Sequence, residues 1–262
     1  MFVFLAAPFL FLTLWGQQGA VSFSDPAREA ARLRAAIESQ PDVEAHYTDL
    51  GNLLLRTQNF PQAAMVLETA RQRFPASAQV VLSLGVAYYG QRKFMESVGA
   101  FLEAGRLAPD VEQPVAFLSR LSEHWNERRN EVETLFSGYA KRNPESATGQ
   151  FALGKLKADA AILRRAVQLN PRFAEAYFEL GTVLESARDY PRALESYHKA
   201  AQFAPRNPAP HHRLSRIYAR TGEKVKAEQE RALHEKLSAE EKASLDRRQA
   251  ATKHLSFEGG KK

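Results

Sequence analysis

Cysteine is absent from the chain. Its absence excludes a disulfide framework, a thiolate metal site, a cysteine nucleophile and a lipid-modified cysteine anchor. Charge is missing from the first stretch as well. MFVFLAAPFLFLTLWGQQGAVSF has no Asp, Glu, Lys or Arg, and the first charged side chain is Asp25. Phosphate-cradling loops of the G-x-x-x-x-G-K-[ST] and G-x-G-x-x-G types are lacking, as are H-E-x-x-H and G-x-S-x-G. No other run supplies a nucleophile with its base, so no catalytic, cofactor-binding or metal-ligating residue is assigned. The chain is not read as an enzyme, and no small-molecule substrate is expected.

The histidines and carboxylates fit that reading. His211 and His212 are adjacent, so on a helix they point about 100° apart and cannot share one ion. His124 and Glu127 stand at i and i+3 without a third ligand, in the polar run SEHWNERRNE. His198 and His234 fall among Lys and Glu and are expected on the surface. Glu123, Glu127 and Glu131, with Arg120 and Arg128, read as an ion-pair stripe along a helix.

What is present begins with an apolar run, Phe2 to Trp15 with Thr13 included, 14 residues long. A bilayer-spanning helix needs about 20 residues. The run suits the apolar region of a signal peptide, and Gly16, Gly19 and Ala20 offer small residues for cleavage, although the usual basic start is missing. Residues 1–23 are therefore expected to be an export signal, placing the protein in the periplasm or outside the cell. The alternative is an uncleaved membrane anchor made by the same residues. The other end is basic: residues 206–262 carry 14 Lys and Arg against 8 Asp and Glu, leaving 22 of each sign in residues 1–205. A basic end suits either a solvated terminal helix or an anionic partner.

Between these ends the sequence repeats. An alanine five residues before a proline occurs as Ala36/Pro41, Ala70/Pro75, Ala104/Pro109, Ala166/Pro171 and Ala200/Pro205. Successive pairs are 34 residues apart except across Pro109 to Pro171, which is 62. Leu50-Gly51, Leu84-Gly85 and Leu180-Gly181 keep one offset, and Ala63, Ser97 and Ala193 keep another. Leu67, Phe101 and Tyr197 follow those small residues by four. Apolar positions recur at helical spacing in two runs per unit, split by polar turns such as TQN, QRK and ARD. The small residues let two antiparallel helices approach, and Leu50, Tyr88, Phe101, Leu180 and Tyr197 fill the seam. One such hairpin cannot bury its outer face and must stack on neighbours.

This pattern resembles the tetratricopeptide repeat (TPR) family over about residues 25–236. The resemblance implies an all-α fold: a right-handed α-solenoid superhelix of antiparallel helix pairs, about five to six repeats with an irregular centre. The expected divisions are a leading capping helix at 24–41, opened by Asp25-Pro26, and regular units over 42–111. Shortened or degenerate units follow over 112–173, then regular units over 174–237. Ser238 and Glu241 form a capping box opening a separate last helix at 238–254, and residues 255–262 should fray. In GKLKADAAILRRAVQLNP, either Asp159 caps a short second helix or one longer helix runs through. The shortened centre should break the regularity of the stack and divide its inner groove in two.

The resemblance also implies partner binding rather than catalysis, through a concave groove lined by the first helix of each pair. Counting from the seam leucines, the groove residues are Thr48, Asn52 and Leu55, then Leu82, Val86 and Tyr89. The same count gives Phe178, Thr182 and Glu185, then His212 and Arg216. Two known variants of the family do not fit. A carboxylate clamp at Asn52 would need Thr48 and Val86 as partners, and the positions of an asparagine ladder hold Asp49, Ser83, Glu179 and Arg213. The expected function is an exported, non-catalytic scaffold holding a protein or extended peptide segment, with contact to a membrane confined to the N-terminal apolar segment. The alternative is a binder of anionic polymer or membrane surface through Arg213, Arg216, Arg220, Arg247 and Arg248. Nucleic acid is not the expected partner.

Overall fold

The computed structural model describes residues 25–258, with side chains described as far as Arg247. The export signal or anchor expected at 1–23 lies outside the described residues. The described chain is all-α and falls into two compact units that divide between Arg142 and Asn143. In the first unit, α1 (Pro26–Ser39) precedes the hairpins α2 (Glu44–Arg56) with α3 (Phe60–Arg73) and α4 (Ala78–Gly90) with α5 (Phe94–Leu107). It closes with α6 (Glu112–Arg120), a short 3-10 turn at Asn126–Arg128, and α7 (Arg129–Arg142). The second unit has three hairpins. They are α8 (Ala147–Lys157) with α9 (Ala160–Leu169), α10 (Ala174–Ser186) with α11 (Tyr190–Phe203), and α12 (Pro208–Thr221) with α13 (Lys224–Glu258).

The helices begin where side chains can take up free amides. Asp25, Asn59, Ser77, Ser146, Asp159, Asp189 and Asn207 each accept a backbone N–H from the first turn that follows. The turn inside a hairpin is equally regular. Gln58, Arg92, Ala158 and Arg188 have φ between 50° and 63°, and Gly222 has φ 88°. The amide that follows each reaches back across the helix end, Asn59 to Leu54 and Glu223 to Tyr218 for example, at 2.8 and 2.9 Å. The chain thus reverses through one left-handed residue per hairpin, and only Gly222 holds that conformation without steric cost.

Each hairpin then closes on a small residue. A Cβ added at Gly51 would stand 2.7 Å from Leu67 Cδ2, one at Gly85 2.6 Å from Phe101 Cε1, and one at Gly181 2.7 Å from Tyr197 Cε1. At Gly154 it would meet Leu163 Cγ at 2.9 Å and the Leu163 amide nitrogen at 3.0 Å. Leu50, Leu67, Leu84, Phe101 and Tyr197 are accordingly buried, whereas Tyr88 is only half-buried and its hydroxyl donates to Glu68 at 2.9 Å. Burial, and then that carboxylate, push the Tyr88 phenol up to about 12.

The centre is irregular in two ways. α6 has 9 residues where α2, α4 and α10 have 13. The chain then takes a non-helical path past buried Leu121 and Trp125, whose indole packs edge-on against Phe136 at 5.3 Å. Farther on, Lys155–Asn170 is two helices: Ala158 takes φ 50°, and the Asp159 carboxylate receives the amides of Ala161 and Ile162 at 2.7 and 3.2 Å. The carboxylate cap and the left-handed residue interrupt a stretch that has neither glycine nor proline.

The end of the chain corrects an expectation. No helix starts at Ser238, because α13 runs unbroken from Lys224 to Glu258 and takes in four residues of the expected frayed tail. No glycine or proline occurs between these limits, and Ala, Glu, Lys, Leu and Arg dominate. Good helix formers outweigh a capping signal placed in mid-helix. Residues 259–262 lie outside the described residues.

Two substitutions separate the constraints on the hairpin. Gly181→Ala forces a methyl into the Tyr197 ring and should cost roughly 1–3 kcal/mol. Gly222→Ala meets nothing within 4 Å, so its cost of about 1 kcal/mol should come from the left-handed backbone alone. Urea unfolding of both variants measures this, and a stable Gly181→Ala protein would contradict the close approach.

Candidate partner-binding faces

The first helices of successive hairpins are tied to one another laterally. In the first unit the Ser83 hydroxyl of α4 donates to Asn52 Oδ1 of α2 at 3.2 Å. In the second, Lys155 of α8 pairs with Glu179 of α10 at 3.1 Å, both side chains about one-fifth exposed. Arg213 of α12 reaches Glu185 of α10 at 3.4 Å. Asn52 and Lys155 stand two residues after a seam leucine, and Ser83, Glu179 and Arg213 stand one residue before the next. The same lateral contact therefore uses hydroxyl and amide in one unit and charge in the other.

The Arg213 contact extends inward. The Tyr197 phenol of α11 donates to Glu185 Oε2 at 2.8 Å and lies 3.2 Å from the Thr182 hydroxyl, which donates to the Phe178 carbonyl at 3.0 Å. Burial first, and the carboxylate beside it, hold the Tyr197 phenol far above the usual tyrosine range. Glu185 thus receives two donors and is only 14% exposed.

The expected groove residues divide under this geometry. Thr48 and Leu55 are corrections: both are 8% exposed. The Thr48 hydroxyl donates back to the Ala45 carbonyl at 3.1 Å, and Leu55 belongs to the core cluster that includes Ala30 and Leu33 of α1. The leading helix packs on α2, so that face of α2 has no free side at Leu55. Asn52, Phe178, Thr182 and Glu185 are partly buried and engaged as described, with Phe178 also packed on the Tyr197 ring at 5.5 Å. Leu82 and Val86 are partly buried and pack on core residues of their own unit. Tyr89 is partly exposed, its ring edge-on to Phe94 at 5.8 Å, with Phe94 in turn 4.3 Å from the His124 ring. Burial raises the Tyr89 phenol above its ordinary value. His212 and Arg216 are exposed on α12.

Ser83, Lys155, Glu179 and Arg213 do the lateral tying, and the count for outward-facing residues passes over all of them. Their signal in the sequence is the pair of places flanking each seam leucine, but no residue type marks it. The arginines of the basic end are partly committed. Arg213 is paired as above, Arg220 donates to the Tyr190 hydroxyl at 2.8 Å, and Arg247 donates to the Ala243 carbonyl at 3.2 Å. The Arg248 side chain lies outside the described residues.

Among the described residues no group of three or more His, Asp or Glu side chains is placed to hold a metal ion. No described helix is long and apolar enough to cross a membrane. A cleft of about 290 Å³ lies between α5 and α7, lined in part by Leu102, Gly105, Leu135 and Gly138. The ionisable groups along it are paired: Arg106 with Glu131 at 3.1 Å and Arg142 with Asp110 at 2.9 Å.

Stacked antiparallel hairpins with laterally tied first helices define a helical-repeat protein. The sequence profile described as tetratricopeptide repeat matches residues 48–112 and 149–208. The chain belongs to the tetratricopeptide repeat family, whose members bind peptides or proteins and whose fold is typical of protein–protein interaction rather than catalysis. No curated protein matches the chain in sequence. Solved structures of similar fold include YrrB, described as a TPR protein with an unusual peptide-binding site. It is 18% identical with a TM-score of 0.54, covering 70% of this chain and 97% of YrrB. PilF of Pseudomonas aeruginosa is 17% identical with a TM-score of 0.57, covering 77% and 99%. A tetratricopeptide repeat protein from Parabacteroides merdae is 15% identical with a TM-score of 0.60, covering 81% and 87%.

The Tyr197–Glu185 bond supplies a measurable stake in the second unit. Tyr197→Phe keeps the ring against Gly181 but removes a charge-assisted donor, and should lower stability by about 1–2 kcal/mol in urea unfolding. An unchanged midpoint would show that the phenol contributes packing alone.

Proposed function

We propose that the protein is a non-catalytic, exported scaffold that binds an extended protein segment along the first-helix faces of its repeats. The observation that carries this reading is the division of labour on those faces. Lateral pairs fix the spacing of the first helices, while Tyr89, His212 and Arg216 remain accessible between and beside them. A preformed face needs little ordering on binding, which favours recognition of a flexible segment by a few anchors. Tyr89 is the anchor in the first unit, with Leu82 and Val86 as its apolar surround. In the second, Arg216 supplies charge and the edge of Phe178 apolar contact. Export rests on the charge-free apolar leader, and intact Met1 on soluble cytosolic protein would overturn it.

The test is selection of binding peptides from a random library on the full chain, followed by affinity measurement from low to high salt. Tyr89→Ala should weaken the selected first-unit ligands at least tenfold without loss of helicity, about 1.4 kcal/mol or more. Failure to select any peptide, or equal affinity for Tyr89→Ala, would count against the groove. Binding only to nucleic acid or acidic lipid, falling steeply with salt, would instead favour the basic-surface alternative.

A further inference from the structure

The charge on α12 is all of one sign. The helix carries Arg213, Arg216 and Arg220 with His211 and His212, and it has no Asp or Glu. His212, Arg216 and Arg220 stand at i, i+4 and i+8, so they share one side of the helix, and all three are exposed. At the places of His212 and Arg216, α10 holds Phe178 and Thr182, which are partly buried against Tyr197. The side that is covered on α10 is thus open on α12. The end face of a repeat stack has to be polar, but solubility asks for no particular sign. α13 meets the same need with both signs in neighbouring pairs, Glu223 with Lys226 at 2.6 Å and Glu228 with Arg231.

The carboxylates around this stripe are engaged elsewhere. Glu185 receives Arg213 and the Tyr197 phenol, and Glu230 Oε2 is 2.6 Å from His211 Nδ1. Arg216 has no hydrogen bond or ion pair among the described residues. Arg220 is held by Tyr190, whose hydroxyl accepts from it at 2.8 Å and whose ring centre lies 5.9 Å from the guanidinium carbon. Its position is therefore fixed while its charge is not balanced.

The stripe is a line rather than a plane. Arg216 and Arg220 are four residues apart, about 6 Å along the helix axis. Alternate residues of an extended chain point the same way and stand about 6.6 Å apart. We propose that this side of α12 reads an acidic stretch of the bound protein segment, with carboxylates at alternate positions of the extended chain paired to Arg216 and Arg220. The proposal rests on the protein-segment reading above and gives that segment a chemistry. A guanidinium suits a carboxylate because its N–H donors lie in one plane and match two oxygens. An acidic membrane surface favours clustered cations, and α13 alongside alternates in sign. A nucleic acid strand gains affinity from many neutralised phosphates, and two arginines neutralise few.

Peptide selection from a random library on the full chain tests this. The wild-type protein should enrich peptides with Asp or Glu at alternate positions, alongside those that depend on Tyr89. The double variant Arg216→Glu, Arg220→Glu should lose the acidic class, gain a basic one, and keep the class that depends on Tyr89. With one enriched acidic peptide as probe, Arg216→Gln and Arg220→Gln should each weaken binding about fivefold. If the double variant loses helicity, the two Gln variants decide. Selection of Tyr89-dependent peptides without an acidic class would overturn the proposal and leave the segment reading standing, whereas selection of no peptide would overturn both. Unchanged affinity of the acidic peptide for both Gln variants would also overturn it. So would Arg216-dependent binding of a single-stranded oligonucleotide or of phosphatidylglycerol vesicles that is tighter than binding of the acidic peptide.

Discussion

The contact on which the structure depends is a side chain pressed into the space where a Cβ would be. Leu67 over Gly51, Phe101 over Gly85 and Tyr197 over Gly181 set the separation within their hairpins. With that distance fixed, the alanines farther along the seam, Ala63, Ala70, Ala193 and Ala200, bury completely or nearly so. Helix propensity runs against glycine at these places, so local preference yields to packing. A repeat protein has no single centre to absorb an error, since each unit is held only by itself and its neighbours. The tolerance at one glycine is therefore the tolerance of the local stack.

The same hairpin unit carries two chemistries on its first-helix face. Hydroxyl to amide at Ser83–Asn52 and lysine to glutamate at Lys155–Glu179 occupy equivalent places. The second unit adds arginine and a buried phenol to its pairings, so its face is held by charge-assisted bonds while the first is held mostly by apolar contact. A polar partner and an apolar one would find different purchase on the two.

The seam was legible in the sequence because it uses few residue types at fixed offsets: leucine and glycine, then a small residue, then a ring or leucine. The division of Lys155–Asn170 into two helices was half legible, since Asp159 announces a cap while no glycine announces the break at Ala158. Leu55 was misplaced because outward position was counted from one helix, whereas the leading helix packs over it; Thr48 is buried with its hydroxyl turned back to its own helix. The lateral pairs were hidden for a related reason: residues 24 to 31 apart meet through the register of two hairpins, and neither hairpin encodes that register alone. The last helix failed differently. A capping box is a start signal only where the preceding chain is not already helical, and nothing between Lys224 and Ser238 stops that helix.

The length of α13 has a mechanical side. Its 35 residues span about 50 Å, whereas α12, with 14, spans about 21 Å. His234 lies opposite Pro208, the first residue of α12, so roughly two-thirds of α13 continues past the end of its partner. A rod clamped over its first third behaves as a lever whose fulcrum is the seam. A tilt of about 5° there moves the far end by about 3 Å over that overhang, and the leverage is set by helix length alone.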